Sequence, residues 1–239
     1  MGFETLHYDV AAVLEEKAVR KIHFHLERLP VTFYHLLRVA AKVKNQAIHI
    51  RPVQNLGGSA KYAFAANTIE IDHDFATKLA TSYKDVDTYE KSIVVHEAIH
   101  AVTDMNFAKN TTIYTNEVAA YLGQTIYLEA QADDYFRIIS TIRTGRWAPL
   151  MEIHRACQAL IRKHNMLKNV VQLRWREYHR LRETIKNHPK YKNRWRDKTT
   201  TPADGIPDPP KRQETGGCSM ASNAQVRGGQ VVRNKIYRS

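Results

Sequence analysis

Residues 92–105 read SIVVHEAIHAVTDM. An α-helix turns once in about 3.6 residues, so His96 and His100 lie one above the other on a single face. The positions around them are apolar on nearly every side: Ile93, Val94, Val95, Ala98, Ile99, Ala101, Val102 and Met105. A helix of that kind is buried rather than laid on a surface. Two imidazoles and the carboxyl of Glu97 inside it need partners, because unpaired buried polar groups are costly. A metal ion supplies one. Two histidines at this spacing converge on one zinc ion, and Glu97 stands beside them as general base toward a water at the ion's open position. With twelve His and thirteen Glu in the chain, this three-residue pattern is expected by accident about 0.03 times, which leaves the match a hypothesis to be tested by its context.

Upstream, Asp87 stands where an N-cap belongs, with Glu90 at the capping-box position, so the helix runs from there to about Met105. Before it, AIHIRPV (47–53), KYAFA (61–65) and TIEID (68–72) read as short strands, with turns at Gly57-Gly58 and Ala66-Asn67. Residues 10–29 have helical spacing through Val10, Val13, Leu14, Ala18, Ile22 and Leu26, Pro30 interrupts it, and 31–44 continue as helix. Downstream, helical patterns run over 115–143 and 149–187. After Thr199 the texture turns to Pro, Gly and Thr (TTTPADGIPDPP), which reads as a flexible tail. The expected class is α+β: a small mixed sheet over about 47–72, packed on the central HExxH helix and further helices, with a long basic helix toward the C-terminus. The expected division is a working domain over 1–148, a basic helical extension over 149–198 and the tail over 199–239.

A third metal ligand has to come from another element. Glu117, opening the helix in TNEVAAYLGQ, is the best placed, with Tyr121 and Gln124 on its face. HEAIHAVTD followed by NEVAAYLGQ resembles the zincin metallopeptidases, in particular their glutamate-ligand branch, and is similar to a group of small bacterial zinc metallopeptidases. The resemblance spans roughly residues 47–131. It implies a single zinc ion held by His96, His100 and Glu117, Glu97 as general base, a peptide or protein substrate, and NTIEID (67–72) as the edge strand of the sheet beside the cleft. There are departures. Tyr121 stands where that branch carries an acid that orients a ligand histidine, and Asp104 is the acid left to do so. An oxyanion stabiliser is also required, and Tyr114, Tyr121 and His154 are the candidates, with Tyr121 preferred.

Composition sets the remaining bounds. No run approaches the roughly 18 apolar residues of a membrane span, and MGFETLHYDV lacks the basic and apolar regions of a Sec signal. The expected location is therefore the cytoplasm, or export by a route without that signal. Two cysteines exclude a disulfide framework and a cysteine zinc cluster; Cys157 reads as a buried thiol and Cys218 as exposed. The net charge of +12 is uneven: 162–198 carries thirteen Lys or Arg against three acids. Two further readings stand beside the first. One is a non-catalytic protein on the same scaffold that binds nucleic acid or an acidic surface through this arm, with Trp175 and Trp195 suited to stacking. The other is a peptidase toxin or effector. His23 and His25, two apart on the expected helix, face different sides, and Asp72-His73-Asp74 reads as a cap.

Overall fold

Asp87 opens the helix around which the fold is built. Its side chain accepts from the Tyr89 N–H at 2.7 Å, the bond expected of an N-cap. In a computed structural model, which describes residues 3–106, 111–131, 150–192, 200 and 205–206, this helix spans Thr88–Met105 and buries every residue but Lys91. The capping-box partner is engaged elsewhere: Glu90 pairs with Lys78 at 3.3 Å.

In chain order the elements are α1 (Leu6–Glu15), a 3₁₀ turn (Lys17–Lys21), β1 (His23–Leu26), β2 (Leu29–Thr32), α2 (Phe33–Lys44), β3 (His49–Val53), β4 (Ala60–Ala63), β5 (Thr68–Asp72), α3 (His73–Thr81) and α4 (Thr88–Met105). After them come α5 (Ile113–Ala130), α6 (Met151–His164), β6 (Val171–Leu173) and α7 (Trp175–Asn187). The mixed α+β class is therefore present. β3 and β4 flank β5, the first parallel and the second antiparallel to it, which makes the mixed sheet expected over 47–72. β5 is its central strand, so the edge is β4 rather than 67–72. Asp72 caps α3 by accepting from the Asp74 N–H at 3.1 Å.

The helix expected over 10–29 ends at Glu15. Beyond the 3₁₀ turn the chain forms a hairpin, with Leu26 opposite Leu29 and a two-residue turn between them. Ile22 and Leu26 fit a helical stripe, but Phe24 between them completes an alternating set, and all three are buried. Burying each such side chain is worth about 1.5–3 kcal/mol, which outweighs the helical preference of the segment. On β1, His23 and His25 consequently share a face, their rings stacked 6.5 Å apart. Pro30 lies on β2, an edge strand of the order β2-β1-β6, where its missing N–H is tolerated.

The continuous helix expected over 149–187 is also divided. Asn165, at φ 50°, ends α6 in the left-handed conformation typical of a helix stop. β6 then pairs parallel with β1, and α7 follows, burying Tyr178, Leu181 and Ile185. The tail is fastened at two points: Thr200 bridges to Thr112, and Gly205 and Ile206 are buried. The expected helix beyond residue 131, the arm beyond residue 192, Cys218 and the rest of the tail lie outside the described residues. Among the described residues no helix is long and apolar enough to cross a membrane.

α5 runs antiparallel to α4. The rungs show it: Thr103 donates to Asn116 at 2.7 Å, His96 bonds Gln124 at 3.1 Å, and Gln124 donates to Ser92 at 2.9 Å. Gly123 permits the close approach, because a Cβ there would collide with Ile99 Cδ1.

Candidate metal centre

His96, His100 and Glu117 converge. Each offers one ligand atom, and the three atoms lie within 4.8 Å of one another. His96 Nε2 stands 3.6 Å from one Glu117 oxygen and His100 Nε2 stands 3.9 Å from the other. These are electrostatic distances, too long for hydrogen bonds. They approach the edge of a tetrahedron with metal–ligand bonds of about 2.1 Å, roughly 3.4 Å. Among the described residues the buried Glu117 Oε2 has no hydrogen-bond partner, as expected of an oxygen whose partner is a cation. Burial opposes ionisation of Glu117, yet the His96 and His100 imidazoles outweigh it and hold the carboxyl down at about 2. Two imidazoles and one ionised carboxylate make a donor set that could hold a metal ion.

The tautomer of His96 is set by its surroundings. Its Nδ1 faces the Gln124 carbonyl oxygen, and the Gln124 amide donates onward to Ser92, whose hydroxyl donates to the Tyr89 carbonyl at 2.6 Å. With Gln124 oriented by Ser92, Nδ1 carries the proton and donates. That leaves Nε2, on the Glu117 side, as the atom available to a metal. Partners of this kind tune ligand basicity and orientation. Replacing Gln124 with Leu is expected to weaken zinc binding by about 10–100-fold, measured by competition with a chromophoric chelator, with little change in secondary structure by circular dichroism.

Glu97 is buried and accepts a hydrogen bond of 2.7 Å from the Tyr62 N–H of the edge strand β4. Burial and then the Glu117 charge raise its pKa, against the opposing pull of His100. Asp104 does not serve the ligand histidines as expected. One of its oxygens accepts from the Tyr62 hydroxyl at 2.7 Å and the other from the Gly205 N–H at 2.9 Å. His100 Nδ1 has no hydrogen-bond partner among the described residues. Asp104 thus ties the edge strand and the tail to α4, and Tyr62 links it to Glu97. Gly205, at φ 93°, adopts a conformation that a side chain would resist.

Of the expected oxyanion donors, Tyr121 packs directly against a ligand. Its ring sits edge-on to His96 with centroids 4.6 Å apart, and its hydroxyl is 2.5 Å from that of Tyr191. Burial, then the Glu117 charge, keeps both phenols protonated. Tyr191 had no sequence signal: it lies 70 residues from Tyr121, in the turn that follows α7. Tyr114 packs beneath the Arg182 guanidinium, 5.2 Å from the ring centre.

His154 is a core histidine. The Tyr89 hydroxyl and the Thr125 hydroxyl each sit 3.0 Å from one of its ring nitrogens. Burial, with a smaller contribution from His96, holds its pKa down to about 3. Cys157 is fully buried and burial pushes its thiol up to about 12, so it is inert. The His154 shift predicts acid sensitivity. Above the ordinary histidine pKa of about 6.5, both folded and unfolded chains are neutral at this site and it contributes no pH dependence. Below that value the unfolded chain takes up a proton that the folded one refuses, so stability falls by about 1.4 kcal/mol per pH unit until the folded pKa is reached. Urea melts between pH 7 and pH 4 should be visibly flatter for His154→Gln than for the parent chain.

Comparison with protein-family models, curated sequences and solved structures returned no match, so the chemistry of the centre rests on its own residues.

Proposed function

We propose that the chain is a zinc-dependent hydrolase of zincin type that cleaves a peptide or amide bond. The observation that carries the reading is the convergence of His96, His100 and Glu117 with Glu97 adjacent on the same helix. The antiparallel edge strand β4, bonded to Glu97 through Tyr62, supports it.

His96, His100 and Glu117 would hold the ion. A zinc ion bound there supplies Lewis-acid chemistry, acidifying water and polarising a carbonyl. Glu97 takes the proton from the attacking water and returns it to the leaving amine. Its raised pKa favours both transfers, since a base matched to the working pH gives the proton back readily. The Tyr62 N–H holds the carboxylate in place through one oxygen. The Tyr121–Tyr191 pair offers a hydroxyl donor to the developing oxyanion. Tyr191 makes the turn after α7 part of the working site.

The test is a crystal of chain purified without chelators, with anomalous scattering collected at the zinc edge, together with a peptide-library cleavage assay. One ion per chain on the three ligands, and cleavage lost to chelator and restored by zinc, is the expected result. A metal-free chain whose activity ignores chelators overturns the reading.

A second reading rests on α7 and its N-cap Arg174, where Arg174, Arg176 and Arg180 are exposed and Trp175 keeps 39 % of its surface in solvent. This face suits a nucleic acid or an acidic surface. On that reading, charge removal on α7 abolishes activity and substitution of Glu97 leaves it intact.

A further inference from the structure

A cavity of about 580 Å³ opens between the 3₁₀ turn, the start of α4 and the end of α5, lined by Lys17, Lys21, Lys84 and Lys91 around Glu16. None of the metal-centre residues lines it. Among the described residues, four ammonium groups against one carboxylate leave a positive excess, and like charges facing one cavity repel unless something neutralises them.

Glu16 offsets only part of that excess. One of its oxygens accepts from the Tyr83 hydroxyl at 2.6 Å, and the other from the Tyr127 hydroxyl at 2.5 Å and the Gln131 amide at 3.2 Å. Its one lysine contact among the described residues is Lys91, at 3.5 Å. Lys17, Lys21 and Lys84 make no ion pair among the described residues. Lys91 is the least exposed of the four: its side chain is 12 % exposed and its ammonium lies 4.2 Å over the Tyr83 ring. Thr88, the first residue of α4, also lines the cavity, which brings the positive end of that helix dipole to the wall. The volume suits a small molecule, since such sites commonly measure about 300–1,000 Å³. Ala18, Val86 and Ala130 add apolar wall for a non-ionic part of the ligand.

We propose that this cavity binds a small polyanion carrying two or more phosphate groups. Lysine binds phosphate as a point charge. A chain of linked phosphates presents several charges over a short distance, so one ligand can meet several of these ammonium groups at once. A carboxylate of the same size carries fewer charges per group. The inference does not depend on the metal centre or on hydrolysis.

The test is isothermal titration of the full chain with tripolyphosphate at low ionic strength, with citrate and inorganic phosphate as comparators. Two double variants accompany it: Lys17→Gln with Lys21→Gln in the cavity, and Arg176→Gln with Arg180→Gln on α7. These side chains are exposed, so the variants should fold, which a melting curve checks. Tripolyphosphate should bind more tightly than either comparator. The cavity pair should weaken it about tenfold, the loss of two charge-assisted contacts at partly exposed sites, while the α7 pair changes it less than about twofold. No binding, equal binding of citrate, or equal loss in the two variants would each overturn the proposal, the last because it reports net charge alone.

Discussion

Glu97→Gln is expected to lower peptide hydrolysis by about 10²–10⁴-fold, the range for removing a general base, without lowering zinc content. The substitution is close to isosteric. The glutamine carbonyl oxygen can still accept from the Tyr62 N–H that Glu97 holds at 2.7 Å, so β4 keeps its place against α4. What is lost is the group that takes the proton. Stability should not fall, because Glu97 is a desolvated carboxyl with a raised pKa, and a neutral amide avoids the burial of a charge. The same shift sets the acid limb of the pH–rate profile. Glu97 acts as base only when ionised, and a raised pKa means that ionisation is lost earlier as pH falls. The acid limb of kcat/KM should therefore lie above the ordinary glutamate value of about 4.3 and disappear in the variant's residual activity. A variant that keeps full activity removes Glu97 from the chemistry and returns the question to the basic face of α7.

The centre was legible because its chemistry is local. His96, Glu97 and His100 lie within five residues of one helix, so periodicity groups them, and Glu117 comes from the first half of the next helix, whose packing against α4 brings it to them. The strand at 68–72 and the Asp87 and Asp72 caps were legible for the same reason, each being decided by its neighbours in sequence. What was hidden is what depends on distant contacts. The hairpin at 23–32 was masked because Ile22 and Leu26 satisfy a helical and an alternating pattern equally, and only packing of Phe24 into the core decides between them. β6 is three residues long and exists because β1 offers it an edge. Tyr191 reaches Tyr121 by a turn that no spacing rule encodes. Asp104 looked like a partner for histidine because it follows His100 by one helical turn, but the Tyr62 hydroxyl and the Gly205 N–H claim its oxygens. Gln124 was placed on the correct face, and its role toward His96 emerged only once α4 and α5 were known to run antiparallel.

Glu117→Ala should have the largest effect on metal binding of any change outside the two histidines. Removing it leaves two imidazoles, one short of the protein ligands a catalytic zinc site uses, and zinc affinity should fall well beyond the roughly 10–100-fold expected for an outer partner such as Gln124. Loss of hydrolysis should follow metal loss and be partly restored by excess zinc. Competition with a chromophoric chelator should rank His96→Ala, His100→Ala and Glu117→Ala together, Gln124→Leu above them and the parent chain highest. The metal-free chain provides a separate readout. Because the two imidazoles hold the Glu117 carboxyl at about 2, its ionised form favours the folded state above the unfolded glutamate pKa of about 4.3. That contribution is lost as pH falls from there toward the folded value. The parent apo-chain should therefore lose stability across that window more steeply than Glu117→Ala, whether or not any substrate is known. Adding zinc should extend the parent's stability by mass action and shift the variant's melt only at far higher zinc concentrations. A Glu117→Ala chain that binds zinc within about tenfold of the parent would show that the third ligand lies elsewhere, since losing a true ligand costs more than losing its outer-shell support.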